Sequence, residues 1–133
     1  HPIFNLYNQQ WPILSWQPPM PPAKFVFDDD DRRGHALDSL VSSGVIVSGG
    51  TVRRSVISTG VRIEAGALVE SSVLLDDVTV GPGAVVRNAI VDKQVHIPAG
   101  ARIGLDPEAD ARRFALSAKG VVVLRKRQEV PPA

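Results

Sequence analysis

The chain has 133 residues, enough for one domain with a modest core. Its 15 Lys and Arg against 14 Asp and Glu leave a formal net charge of +1, so no global field draws it to nucleic acid. Cysteine is absent, which excludes disulfides and thiolate-bound zinc and suits a reducing compartment, and no apolar run approaches the roughly 20 residues of a membrane helix.

Residues 1–36 read as a Pro-rich interdomain linker and loop. Pro2, Pro12, Pro18, Pro19, Pro21 and Pro22 withhold backbone donors and favour extended geometry, and such a segment cannot fold alone. Phe4, Tyr7, Trp11, Trp16, Phe25 and Phe27 suggest that it is pinned against a surface. Pro19-Met20-Pro21-Pro22-Ala23-Lys24 also fits a PxxPxK docking peptide, a pattern that arises easily by chance. Asp28 to Asp31 followed by Arg32-Arg33-Gly34 is a charge run, read as a solvated loop rather than a hard-cation site. The chain opens on His1 rather than Met, which reads as a piece of a longer protein.

Residues 37–104 repeat. Rows start at Ile46, Ile63, Val80 and Ile97, a period of 17. Two further apolar columns run through them: Val52, Val69, Val86, Ile103, and Ile57, Leu74, Val91. Two residues before the anchors stand Val61, Val78, Val95; Gly50, Ala67, Ala84, Ala101; and Ser55, Ser72, Ala89. Residues two apart on a strand face the same side, so each row holds three short inward-facing segments and three corners. Gly49, Gly66, Gly83 and Gly100 share one corner column, where positive φ suits glycine. So many β-branched residues and glycines do not suit a helix. The columns predict a mainly β fold, a triangular parallel β-helix with rungs about 4.8 Å apart.

Residues 105–133 predict a helix, a strand and a basic tail. Asp106 reads as an N-cap before Pro107, with the helix reaching Phe114 or Leu116. Val121 to Leu124 reads as a strand, and Arg125, Lys126 and Arg127 as a basic patch.

The chemistry visible in the residues is sparse. His1, His35 and His96 lack metal-ligand spacing. His96 shares a column with Arg62 and Thr79, and reads either as a surface corner residue or as a general base. Gly81-Pro82-Gly83 is a rung corner, not a nucleotide loop. Outward, Arg53, Glu70 and Arg87 alternate in sign down one column, an ion ladder worth under about 1 kcal/mol per pair. Asp76 and Lys93 share another column. Lys93 either pairs with Asp76 or, with nearby arginines, holds a phosphorylated anion.

A family resemblance adds to these readings. The three-sided 6-5-6 spacing is similar to the hexapeptide repeats of left-handed β-helices, and that likeness implies the handedness. Leu6-Tyr7-Asn8, Trp11-Pro12-Ile13, Pro21-Pro22-Ala23-Lys24-Phe25-Val26 and Arg32-Arg33-Gly34 come first in the matching motifs. Asp38-Ser39-Leu40-Val41-Ser42, Ile90-Val91-Asp92-Lys93, Ile97-Pro98-Ala99-Gly100 and Asp110-Ala111-Arg112-Arg113-Phe114 follow. In this order and spacing they resemble the C-terminal portion of the bacterial ADP-glucose pyrophosphorylases (glucose-1-phosphate adenylyltransferases) of glycogen synthesis. His35 and Val45 stand where that family often has methionine and cysteine.

The resemblance implies a cytoplasmic bacterial parent with a Rossmann-like N-terminal domain. That domain would bind ATP, Mg²⁺ and glucose 1-phosphate and make ADP-glucose and pyrophosphate. Its catalytic residues match no position here, so the chain alone is expected to be inactive. The resemblance also implies that the β-helix packs against its own catalytic domain and supports a homotetramer. It would line a cleft for phosphorylated effectors, typically sugar bisphosphates as activators and AMP, ADP or phosphate as inhibitors. The family's effector motif, an acidic-basic pair whose basic residue contacts effector, falls on Asp92 and Lys93, and a late basic position falls on Lys126. Arg112 and Arg113 match a further basic pair, with helix packing as their alternative role. Neither nucleic acid nor membrane is an expected partner. The rivals are a hexapeptide-repeat acyltransferase, another sugar nucleotidyltransferase with a β-helix, and a purely structural solenoid.

Overall fold

The computed structural model describes residues 21–26 and 34–131. The expectations for Trp11, Trp16, the Asp28–Asp31 run and Arg32-Arg33 lie outside these residues. Strands come in threes along the chain: β1 (Lys24–Val26), β2 (His35–Leu37) and β3 (Leu40–Val41), then β4 (Ile46–Ser48), β5 (Thr51–Arg53) and β6 (Val56–Ile57). They continue with β7 (Arg62–Ile63), β8 (Leu68–Glu70) and β9 (Val73–Leu74), and β10 (Thr79–Val80), β11 (Val85–Arg87) and β12 (Ala89–Val91). The last coil has β13 (His96–Ile97) and β14 (Arg102–Ile103), then helix α1 (Pro107–Arg113), β15 (Ala115–Leu116) and β16 (Val122–Leu124).

Every third strand stacks in register. Sheet A is β1-β4-β7-β10-β13, sheet B is β2-β5-β8-β11-β14, and sheet C is β3-β6-β9-β12-β16-β15. All pairs are parallel except β15 with β16. This is the expected three-walled parallel β-solenoid. Its ladders run past residues 37 and 104 at both ends, because β1 continues sheet A and β16 continues sheet C.

The core is aliphatic and fills the prism. Val47, Ile63, Val80 and Ile97 line one wall, Val52, Val69, Val86 and Ile103 the second, and Ile57, Leu74, Val91 and Leu124 the third, all fully buried. Burying each such side chain stabilises the fold by about 1.5–3 kcal/mol. The small columns beside them follow from tight corners. A Cβ on Gly50 would meet Ile63 Cγ2 at 2.6 Å. Each corner turns through one left-handed residue, as the Gly49, Gly66, Gly83 and Gly100 column does with φ between 69° and 78°.

One column differs from the expected repeat. Ile46 pairs with Arg62 and faces outward, while Val47 pairs with Ile63 and lies in the core. The corner of this coil, from Ser48 to Gly50, is one residue shorter than that of the next, so the first row is 16 residues long. The helix also ends sooner than its longest expected reach. Phe114 caps it with extended backbone (φ −134°, ψ 162°), and Ala115–Leu116 pair with the free edge of β16 instead. The N-cap is as expected, with Asp106 Oδ1 accepting from Glu108 and Ala109 N–H.

Candidate functional site: a basic corner at the end of the solenoid

The corner that leads from sheet C into sheet A carries the candidate residues. Going up the stack its residues are Ser58-Thr59-Gly60, Leu75-Asp76-Asp77, Asp92-Lys93-Gln94 and Arg125-Lys126-Arg127. Backbone bonds tie each step to the next: Asp77 N–H to Thr59 O (3.0 Å), Gln94 N–H to Asp76 O (2.9 Å) and Arg127 N–H to Lys93 O (3.0 Å). The strand before it pairs Val91 with Leu124. Continued one step at a time, that register sets Arg125 on Asp92, Lys126 on Lys93 and Arg127 on Gln94. The edge therefore changes from acidic to basic along its length, ending in three cations.

Short bonds hold the backbone and one guanidinium there. Asp92 Oδ1 accepts from Lys93 N–H (2.7 Å), Gln128 Oε1 from Arg125 N–H (2.8 Å), and Gln94 Oε1 from Arg127 Nε (2.7 Å). Two hollows flank the cations. One of about 640 Å³ is lined by Gln94, His96, Arg127, Gln128, Glu129 and Val130. The other, about 380 Å³, is lined by Arg125, Lys126 and Gln128. Such a cluster of Lys and Arg donors suits phosphoryl oxygens. Among the described residues, no ion pair joins Lys93 to Asp76, and no group of three or more His, Asp or Glu could hold a metal ion.

Thus Asp92, Lys93 and Lys126 come together, while Arg112 and Arg113 stand elsewhere. Both lie on α1, which covers the end of sheet B. Arg113 Nη2 donates to Arg102 O (2.8 Å), lies 3.9 Å from Asp110 Oδ1 and stacks 4.8 Å over Phe114. Arg113 thus packs α1 against the last coil. Asp110 itself is 2% exposed, and its Oδ2 accepts from Gly104 N–H (3.0 Å). Burial raises its pKa, against the opposing pull of Gly104 N–H and Arg113. In the ion ladder Glu70 bridges Arg87 (3.0 Å) and Arg54 (3.4 Å), so Arg54 takes the place expected of Arg53. The Arg127–Gln94 contact was hidden from sequence reading because α1 and β15 intervene between the two coils.

A protein-family model described as "GlmU-like, C-terminal hexapeptide" matches residues 21–124, most of this solenoid. The chain belongs to that family. The hexapeptide assignment fits left-handed winding of the three sheets. Among relatives of this hexapeptide chain, the glucose-1-phosphate adenylyltransferase of Frankia casuarinae is 56% identical over 126 residues, 94% of this chain and 31% of the relative. The enzyme of the same name from Albidiferax ferrireducens is 55% identical over 123 residues, 92% of this chain and 29% of the relative. Glucose-1-phosphate adenylyltransferase 2 of Alkalilimnicola ehrlichii is 52% identical over 124 residues, 93% of this chain and 29% of the relative. The hexapeptide chain thus spans about 30% of the length of the relatives it matches.

Proposed function

We propose that this chain is the C-terminal β-helix part of a glucose-1-phosphate adenylyltransferase. In this reading the whole enzyme joins ATP and glucose 1-phosphate into ADP-glucose and releases pyrophosphate for glycogen synthesis. ATP, Mg²⁺ and the catalytic residues belong to the remaining two thirds of the polypeptide. The β-helix binds a phosphorylated effector, packs against the catalytic part, and helps form a homotetramer in the bacterial cytoplasm. The similarity to relatives of that name supports the enzyme class. The observation that carries the effector site is the β12–β16 register, which stacks Lys93 beside Lys126 on adjacent coils. Two ammonium groups in one column repel unless an anion lies between them. Asp92 accepts the Lys93 N–H and so orients the corner rather than touching the effector.

The test uses the full-length polypeptide. Pyrophosphate release is measured with glucose 1-phosphate and Mg²⁺, using ATP, UTP or GTP, with and without fructose 1,6-bisphosphate. ATP-selective release that responds to the bisphosphate is expected. Lys93→Ala and Lys126→Ala should each weaken the response about ten-fold or more, by the cost of removing a charge-assisted contact. Arg112→Ala should leave it unchanged. An unaltered response in Lys93→Ala would remove that residue from the site. Release with UTP or GTP alone would point to another sugar nucleotidyltransferase.

A second reading is favoured by one observation: His96 lines the larger hollow beside Arg127 and Glu129. A histidine so placed could act as general base in acyl transfer. Saturable acetyl-CoA binding, lost in His96→Ala, would favour it.

A further inference from the structure

Helix α1 stands where the next strand of sheet B would lie, and its side chains replace that strand's backbone groups. Along this wall each coil offers N–H groups to the coil after it. Leu68 N–H donates to Ala84 O (2.9 Å), and Val85 N–H to Ala101 O (2.8 Å). In the register Leu68–Val85–Arg102 the next residue to offer its N–H and C=O is Arg102, on the outer edge of β14. Among the described residues β14 is the last strand of sheet B, so no backbone receives them. Two groups on that edge are met by α1 instead: Arg113 Nη2 donates to Arg102 O (2.8 Å), and Asp110 Oδ2 accepts from Gly104 N–H (3.0 Å). Among the described residues no acceptor meets Arg102 N–H.

A second group beside it is unmet. Asp110 is 2% exposed, and its Oδ1 is buried without a hydrogen-bond partner. Arg113 Nη2 is 3.9 Å from it, too far to donate, and is held by Arg102 O. Buried carboxylate oxygens are ordinarily met, so this one marks a place for a donor. Arg102, Asp110 and Arg113 line one hollow of about 570 Å³ together with Leu105, Asp106 and Ala109. Small-molecule sites run from about 300 to 1,000 Å³. We propose that this hollow binds a small neutral molecule carrying a primary carboxamide. Its carbonyl oxygen accepts from Arg102 N–H, its NH₂ donates to Asp110 Oδ1, and its apolar body rests on Leu105 and Ala109. The donor reaches Oδ1 once the Arg113 guanidinium, on a side chain 30% exposed, shifts aside. A carboxylate offers acceptors alone and sets a second negative charge against Asp110, while an amine leaves Arg102 N–H unmet. The carboxamide thus takes the place that a peptide group of the next coil holds lower in the wall. This site stands apart from the basic corner and does not depend on the enzyme reading.

Titration of the isotopically labelled chain with benzamide, followed by amide NMR, tests this. The Arg102 and Gly104 amides should shift together and saturate, with Arg102 N–H moving downfield, while the amides of Val52 and Ile57 stay fixed. Benzoate should bind about ten-fold more weakly or worse, because it brings no donor to Asp110. Asp110→Asn still accepts from Gly104 N–H but sets an NH₂ where Oδ1 stood. It should reverse the preference, weakening benzamide about ten-fold and strengthening benzoate by a similar factor. Ala109→Leu should abolish binding by filling the hollow. Unmoved Val86 and Val91 amides in each variant check that the middle coils remain folded. Arg102 and Gly104 amides that stay fixed up to the solubility limit of benzamide would mean that water alone fills the hollow, and the proposal fails. Equal affinity for benzamide and benzoate, or a preference that Asp110→Asn leaves unchanged, also overturns it, since a purely apolar contact behaves in that way.

Discussion

Two buried serines show how single residues hold this solenoid. Ser55 Oγ accepts from Ser72 N–H (3.1 Å) and donates to Arg53 O (2.7 Å). Ser72 Oγ accepts from Ala89 N–H (3.2 Å) and donates to Glu70 O (2.8 Å). Each hydroxyl thus satisfies a backbone N–H one coil away, and adds a second bond to a carbonyl on its own coil that already accepts a backbone N–H, from Ser71 at Arg53 O and from Asn88 at Glu70 O. Ser72→Ala keeps the volume but strands the Ala89 N–H inside the wall. It should destabilise the protein by about 1–3 kcal/mol, read as a lower denaturant midpoint with unchanged slope. A midpoint within error of the parent would show that water takes over the bond. The column of Ser55, Ser72 and Ala89 was legible from the repeat as small and inward-facing. The ladder itself was not, because spacing reveals which side chains share a face but not which backbone groups the corner leaves open.

At the scale of elements, α1 is a short plug fastened by one carboxylate. Seven residues are too few to be helical on propensity alone, so its position depends on tertiary ties. Asp106 caps it, and Asp110 ties it to the last coil through Gly104 N–H. The cap and the Pro107 start were readable from sequence because both are local. The end at Arg113 was not, since Ala115–Leu116 leave the helix only to pair with β16, a partner beyond the next turn. Asp110 leads to a pH prediction with a definite sign. Its folded pKa lies above the ordinary 3.8, so between that value and the raised one the folded state holds the proton more tightly than the unfolded chain. Stability therefore falls as pH rises through that window and levels off above the folded pKa. Asp110→Asn retains an acceptor for Gly104 N–H and should flatten this fall. Thermal melts of both proteins from pH 3.5 upward check it, and parallel profiles would assign the slope to other groups.

For the molecule as a whole, the two ends of the solenoid are finished differently. Each coil touches only its neighbours, so stability is close to a sum of coil and interface contributions, and loss of order should begin where a neighbour is missing. At the late end β13 and β14 remain the edges of sheets A and B, but Phe114 and Val130 are buried there and β15 covers the edge of β16. Among the described residues, β1, β2 and β3 at the early end each pair on one side only, with Phe25 41%, Leu37 51% and Leu40 71% exposed. The 17-residue period announced the walls and the stacking, yet not this first coil. The spacing from β1 at Lys24 to β2 at His35 does not follow the period, and Val47 is shifted by a one-residue-shorter corner. Hydrogen exchange on this chain should therefore show amides of β2 and β3 losing protection first, then β5 and β6, with β9, β11 and β12 last. The free energy of opening should rise from near zero at the early edge towards the global value in the middle coils. Uniform protection across all coils of the isolated chain would mean that the early edge is already covered, and the open-end argument would fail.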